Sequence, residues 1–431
     1  MQATFRKSSI AALAGTFLCC VIGSVGLAKG FNYDEAEVPE YTLPDPLKME
    51  DGTKVADADS WRTKRRPEVL QLMKQHVFGA MPPAKEIAQA DVAAFDQKWL
   101  DGKGMRKEVT LYFNADRTGP KINVLILTPP KDADGNGPFP AFLGYNFQGN
   151  HTVHADKDIR ISEVWDRKGG NNPLVPFEST RGAGASRWQV EKILSRGYAL
   201  VAVYYGDVDP DFHDGFKNGV HSLYPEYQKR DDNWTSIGAW AWGLSRVMDY
   251  LETEKLIDAE RVAVIGHSRL GKTSLWAGAN DERFAMVISN NSGCGGAALA
   301  RRRFGETVAR INKVFPHWFC TKHKEYNDNE DAMPVDHHQL ISLIAPRPVY
   351  VASAEKDGWA DPRGEFLSCV GADPVYRLLA GDGLPSQQWP KVNEPVQGLI
   401  GYHVRTGGHD VKAFDWEQYL DFADRHLPKK P

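Results

Sequence analysis

Hydrophobic positions recur along the chain in two different rhythms. Short, near-continuous apolar runs rich in β-branched residues stand at Ile122–Leu127, Ala141–Tyr145, Ala199–Tyr205, Val262–Ile265, Met286–Ser289 and Val349–Ser353, with a last one near Ile400–Val404. Between the third and the fourth, Ile237, Trp240, Ala241, Leu244, Val247, Met248 and Leu251 recur at helical spacing and line up as one apolar stripe on a single helix face. Strands that are apolar on both sides must be covered on both. The alternation therefore predicts an α/β protein, a mostly parallel central sheet with helices on both faces. In such sheets reactive groups stand on loops at the carboxyl ends of strands.

The first 28 residues follow neither rhythm. Arg6 and Lys7 precede an uncharged run from Ile10 to Ala28 that closes on Gly26-Leu27-Ala28, the three parts of a secretory signal. An uncleaved membrane anchor competes on length, but Gly15, Gly23, Ser24 and Gly26 interrupt the run. Cys19 and Cys20 lack the small residues expected before a lipidated Cys. The expectation is a secreted or periplasmic protein with no stable membrane insertion after cleavage. Residues 29–60, with Pro39, Pro44 and Pro46, read as an extended lead-in. Residues 61–431 read as a single catalytic domain, because no repeat, low-complexity tract or Gly/Ser linker divides them.

Composition narrows the function classes. The 431 residues carry 52 basic and 56 acidic side chains, a balance without the basic footprint of nucleic-acid or membrane binding. With 12 Trp, 15 Tyr and 19 Phe the chain is not a disordered one. After signal removal only Cys294, Cys320 and Cys369 remain, so at most one disulfide can form, and three buried thiols is the simpler reading. A monomer is expected.

The chemistry concentrates at Val262-Ala263-Val264-Ile265-Gly266-His267-Ser268-Arg269-Leu270-Gly271-Lys272-Thr273, a strand, a tight turn and a helix start. Gly266–Thr273 matches the phosphate-binding pattern G-x-x-x-x-G-K-[ST] in full. The same residues also make a nucleophile elbow around Ser268, imperfectly, because Leu270 stands where the second Gly is usual and Gly271 comes one later. An exported protein has little access to nucleoside triphosphate, and no later strand ends in a convincing Mg²⁺-binding Asp. The elbow instead requires an acid and then a His, each after a strand. Glu355-Lys356-Asp357-Gly358-Trp359 and Thr406-Gly407-Gly408-His409-Asp410 supply them in the order of α/β-hydrolases.

Gly266-His267-Ser268-Arg269-Leu270-Gly271-Lys272 resembles the G-x-S-R-x-G-K signature of glucuronoyl esterases, carbohydrate esterase family 15. The likeness extends to Gly144-Tyr145-Asn146-Phe147-Gln148-Gly149-Asn150-His151, Tyr205-Gly206-Asp207-Val208-Asp209-Pro210, Asp336-His337-His338 and Ala345-Pro346-Arg347-Pro348. It implies an α/β-hydrolase fold and cleavage of the ester that joins 4-O-methyl-glucuronate of glucuronoxylan to lignin alcohols.

Roles follow from chemistry and from this resemblance. Ser268 is the expected nucleophile, with a helix N-cap as the alternative. His409, in a loop after two glycines, is the expected base, and His403 competes from within a strand. Many family members keep the acid as a Glu in an E-S-G-x-G segment. Here that segment is Asn291-Ser292-Gly293-Cys294-Gly295, so Asp357 takes the role, with Glu355 as the second candidate. Arg269 would add a charged donor at the oxyanion. By resemblance Lys272, Glu306 and Trp359 would bind the sugar, although Arg301-Arg302-Arg303 offer Glu306 an ordinary salt bridge. The His-rich stretch from His317 to His338 has no metal-ligand spacing, and neither a metal nor a cofactor is expected.

Overall fold

In a computed structural model the chain is described over residues 31–130, 137–170 and 172–427. The signal-type segment 1–28 lies outside the described residues. Ten strands make one sheet: β1 (Gln89–Lys98), β2 (Gly104–Tyr112), β3 (Lys121–Thr128), β4 (Phe139–Asn146), β5 (Ala199–Tyr204), β6 (Ile257–His267), β7 (Met286–Asn290), β8 (Val349–Ala354), β9 (Val396–Gln397) and β10 (Ile400–Arg405). Their order is β1-β2-β3-β5-β4-β6-β7-β8-β10-β9. The block from β5 to β10 is parallel, while β1, β2, β3 and β9 join antiparallel. The sheet is thus mixed, with a parallel centre.

Side-chain alternation explains the two covered faces. Val262 and Val264, Val287, and Val349 and Val351 enter one core, against helices α2 (Ser236–Leu251), α3 (Arg269–Asn280) and α4 (Pro362–Ala380). Ala263 and Ile265, Met286 and Ile288, and Tyr350 and Ala352 enter the other, against α1 (Val190–Ser195) and α5 (Ala413–His426). Each central strand therefore buries both its odd and its even positions, as its unbroken apolar sequence requires.

Helix α2 departs from the one-sided stripe. Every residue from Ser236 to Met248 is buried, including Trp242 and Arg246 on the opposite side. Trp242 meets the rings of Phe113, Tyr224 and Trp234, so a second layer of chain covers the face that a surface helix would show to water.

The lead-in is mostly irregular but closely held. His338 Nε2 donates to Pro44 O at 2.8 Å, Arg65 Nε to Pro46 O at 3.1 Å, and Val55 is buried. Short helical turns form at Glu35–Glu37 and Ala58–Ser60, and residues from Asn32 onward make one compact unit.

Register then levels the carboxyl ends of the parallel strands. Tyr204 pairs with Asn146, His267 with Asn290, Asn290 with Ala352, and Ala352 with His403. Everything beyond this row belongs to the loops of one rim.

Candidate active site

One residue, Ser268, separates the end of β6 from the start of α3. Its backbone sits at φ 60°, ψ −128°, a conformation that costs a non-glycine residue about 1–3 kcal/mol. Hydrogen bonds hold it there: Ser268 N donates to Asn290 O at 2.9 Å, and Ser268 O accepts from Gly271 N at 2.9 Å and Lys272 N at 3.2 Å. The glycines explain the displaced motif. A Cβ on Gly266 would run into the Leu270 carbonyl. Leu270 is core-buried, and the close approach to the end of β7 falls at Gly271, where a Cβ would stand 3.0 Å from Ser292 Cβ and 3.2 Å from Asn290 O.

This geometry is incompatible with a phosphate loop. No loop exists between strand and helix to wrap an anion. Lys272 is buried in the first turn of α3 and donates to Ser292 O, and Thr273 Oγ1 turns back to Arg269 O at 3.0 Å.

Two further loops converge on the elbow. His409 Nδ1 lies 2.6 Å from Asp357 Oδ2, and the His409 ring centroid is 4.5 Å from that of His267, the residue before Ser268. Asn291 Nδ2 donates to the same Asp357 oxygen at 2.7 Å. An acceptor at this position puts the His409 proton on Nδ1 and leaves Nε2 as its basic nitrogen. Burial pushes the Asp357 carboxyl up, but the His409 and Asn291 donors outweigh it and the net direction is down. Glu355 is exposed and accepts from Gly407 N at 3.4 Å. His403 is buried within β10 between Asp415 (2.9 Å) and Tyr350 (3.0 Å). Asp357 and His409 are therefore the pair that meets at the elbow.

Arg269 projects into an aromatic frame, its Cζ 4.9 Å from the Trp318 ring centre and 5.6 Å from that of Phe147. It is ion-paired with Asp211, a residue the sequence reading passed over. Asp211 is fully buried and also takes Trp318 Nε1 at 2.8 Å, His317 Nε2 at 3.2 Å and Arg167 Nε at 3.1 Å. Burial alone would raise its carboxyl, but these donors and charges bring it down to about 2. The nearest sequence signal was the Tyr205–Pro210 stretch immediately before it.

Beside Arg269, Lys272 faces Glu306. Burial lowers Lys272 and raises Glu306, while each charge opposes the shift of the other. Glu306 N donates to Trp359 O at 3.0 Å, which joins the three predicted sugar contacts in one cluster. The three arginines upstream pair elsewhere: Arg301 with Asp336 (3.1 Å), Arg302 with Asp361 (2.8 Å) and Arg303 with Glu330 (2.7 Å).

A buried network beneath the rim fastens both reactive loops. Burial and the neighbouring His409 push His267 down to about 3, so it is neutral, and its Nδ1 meets Asn290 Oδ1 at 2.7 Å. Asn290 Nδ2 reaches Tyr419 Oη (2.7 Å) and Asp415 Oδ1 (3.3 Å). Asp415 Oδ2 accepts from Arg405 Nε at 2.7 Å, and the same guanidinium donates to Thr406 O (3.0 Å), Gly408 O (3.1 Å) and Asp410 O. The backbone that carries His409 is thus wrapped around Arg405. On the other side, Glu365 is buried and accepts from Ser292 N (2.7 Å), Gly293 N (2.9 Å) and Ser353 Oγ (2.6 Å), pinning the Asn291 turn. Burial drives its carboxyl up to about 8 against these donors. Cys294, Cys320 and Cys369 are free and buried. Each histidine between residues 317 and 338 has a hydrogen-bond partner. Among the described residues no group of three or more His, Cys, Asp or Glu is placed to hold a metal.

Comparison with known proteins points to the same chemistry. Residues 183–380 match the family described as glucuronyl esterase, fungi. Carbohydrate esterase MZ0003, from an unknown prokaryotic organism, is 52% identical over 408 residues, 93% of each chain. A 4-O-methyl-glucuronoyl methylesterase of Wolfiporia cocos is 26% identical, covering 81% of this chain and 74% of its own. Among solved structures, the glucuronoyl esterase from Solibacter usitatus superposes with a TM-score of 0.86 at 46% identity, over 91% of this chain and 99% of that one. A promiscuous CE15 esterase from the marine bacterial metagenome does so at 0.83 and 50% identity, over 92% and 100%.

Proposed function

The chain belongs to carbohydrate esterase family 15, the glucuronoyl esterases, and from that premise we propose that Ser268, His409 and Asp357 hydrolyse esters of (4-O-methyl-)glucuronic acid through an acyl-enzyme. The observation that carries the assignment is the 2.6 Å contact between His409 and Asp357 beside the strained Ser268 turn. Ser268 Oγ bonds to the ester carbonyl carbon while its proton passes to His409 Nε2. Asp357 holds the imidazolium. Arg269, ion-paired with Asp211, stabilises the oxyanion, a contribution of about 2.7–4 kcal/mol for one such donor. The C–O bond to the alcohol breaks, His409 returns the proton to the leaving oxygen, and water repeats the sequence to free the glucuronate. Lys272 and Glu306 take the sugar hydroxyls, and Trp359 lies along the ring.

The natural ester is that of glucuronoxylan with lignin-type alcohols. An esterified uronate is neutral, which suits the balanced charge of the chain. The protein acts outside the cytoplasm as a monomer, and cleavage after Ala28 leaves the compact unit from Asn32 whole. Among the described residues no helix is long and apolar enough to cross a membrane.

Hydrolysis of benzyl glucuronate, nitrophenyl acetate and a galacturonate ester by wild type and Ser268→Ala tests the reading. The glucuronate ester is expected to be the best substrate, and the variant to lose several orders of magnitude in turnover while remaining folded. Near-normal turnover by Ser268→Ala overturns the nucleophile, and preference for the acetate overturns the substrate.

A further inference from the structure

A second cleft opens on the same rim of the sheet, toward β3, with a volume of about 610 Å³, ample for a small ligand. Lys121, Asn123 and Asp207 line it together with Arg160, Glu163, Trp165 and Lys217. Nothing in the catalytic chemistry above uses it.

Register locates it relative to the nucleophile. Val124 pairs antiparallel with Val203, which brings Asn123 level with Tyr204, and Tyr204 pairs with Asn146 of β4, the strand next to β6. Asn123, which lines the cleft, is therefore three strand spacings from β6, about 14 Å at ~4.8 Å per spacing. The two places are physically joined. Asn146 Nδ2 donates to Asn150 Oδ1 (2.7 Å), Asn150 Nδ2 to Asn123 O (2.9 Å), and Asn123 N and Nδ2 to Asp207 Oδ2 (2.8 and 3.0 Å). Two residues past Trp165, Arg167 reaches Asp211, the partner of Arg269.

The lining narrows the ligand class. Both signs line it, Glu163 and Asp207 with Lys121, Arg160 and Lys217, as suits hydroxyls, which donate and accept at once. Trp165 is half-buried, its ring edge-on to Phe212 at 5.8 Å, and offers an apolar wall for C–H groups. Both donors of Asn123 go to one Asp207 oxygen, so that carboxylate keeps acceptor capacity for a sugar hydroxyl.

We infer that this cleft is a subsite for neutral pyranose units of the glycan that bears the scissile uronate ester, so that the substrate chain runs along the rim from β3 to Ser268. The inference rests on the esterase reading given above.

The test compares a small and a polymeric substrate in the intact enzyme. Trp165→Ala and the exposed-site variant Lys217→Gln are expected to raise KM for esterified glucuronoxylan, about tenfold for Trp165→Ala, while kcat/KM for benzyl glucuronate stays within about twofold. Equal losses on both substrates, or no loss on either, overturn the subsite. Titration of Ser268→Ala with unesterified xylo-oligosaccharide separates this from the esterase reading. Saturable binding that Trp165→Ala and Lys217→Gln weaken supports the cleft even if wild type fails to cleave benzyl glucuronate, and absence of binding overturns it even if cleavage proceeds.

Discussion

Replacing Asp357 by Asn keeps the size of the side chain and removes its charge at the one point where the proposed mechanism needs it. The carboxylate is buried and accepts from His409 Nδ1 at 2.6 Å and Asn291 Nδ2 at 2.7 Å on the same oxygen. When His409 takes the Ser268 proton, an imidazolium forms about 4 Å from that negative charge, centre to centre. At an effective dielectric of about 20 the attraction is worth about 4 kcal/mol, or about a thousandfold in rate. If the amide nitrogen instead turned toward His409, the wrong tautomer would take the loss to about 10⁴-fold. Asp357→Asn is therefore expected to lower kcat on benzyl glucuronate at least about a thousandfold, with KM changed little. Glu355→Gln is expected to stay within about twofold, because Glu355 is exposed and its carboxylate accepts from a backbone N–H of the neighbouring loop, Gly407 N. Released benzyl alcohol measures turnover, and circular dichroism melting confirms that both variants fold. Retention of a tenth of wild-type kcat by Asp357→Asn, or an equal loss in Glu355→Gln, refutes the reasoning.

Three other expectations concern the supports of the site. Arg405→Lys keeps the charge but loses the fork that holds three carbonyls around His409, so kcat should fall about tenfold to a hundredfold with KM nearly constant in steady-state assays. Glu365 has a folded pKa of about 8, above its ordinary value of 4.5. Its contribution is complete below pH 4.5 and is lost as pH climbs through about 8. Glu365→Gln, which mimics the protonated acid, should therefore gain on wild type by a few kcal/mol between pH 5 and about 8.5 in urea denaturation, on the order expected for such a shift. Asp211 runs the other way. Its folded value near 2, against 3.8, gives about 2 kcal/mol that is present above pH 4 and lost as pH falls through 2. Asp211→Asn should cost about 3–5 kcal/mol near neutral pH by stranding Arg269, and guanidinium unfolding curves should show that cost shrinking below pH 3.

Which parts of the fold could be read beforehand follows from what each strand buries. The parallel strands carry apolar residues at successive positions, and their runs were visible without any partner. β1 and β2 were not. Gln89–Lys98 is half-exposed at the sheet edge and alternates weakly. β2 is almost wholly buried, but Arg106, Glu108 and Thr110 interrupt its apolar pattern. Glu108 and Thr110 tolerate burial because a distant residue serves them: Arg160 bonds to both, and Glu254 likewise takes Lys107, whereas Arg106 faces only Glu108 of its own strand, at 3.8 Å. No local pattern announces a strand whose polar residues are satisfied from elsewhere in the chain. The stripe on α2 misled in the opposite direction. It identified the helix, yet the residues between the stripe positions are buried as well, because aromatic rings from other segments cover them.

The same distinction between local and remote partners divides the site. Ser268, Asp357 and His409 were legible because each follows its own strand, and the order of strands fixes the order of loops. Asp211, Glu365 and Asp415 were not, since each acts on groups far away in sequence: Asp211 on Arg269 and Trp318, Glu365 on Ser292, Asp415 on Asn290. The two readings of Gly266–Thr273 show why a complete pattern lost to an incomplete one. A phosphate loop needs several residues between strand and helix so that successive N–H groups can enclose an anion. Here the intervening segment is the single residue Ser268, and the glycines answer to other demands, Gly266 to the Leu270 carbonyl and Gly271 to the end of β7. A turn that short has no room for a phosphate and aims one side chain outward. The spacing of glycines therefore reports where backbones come close, and the length of the turn decides which chemistry that closeness serves.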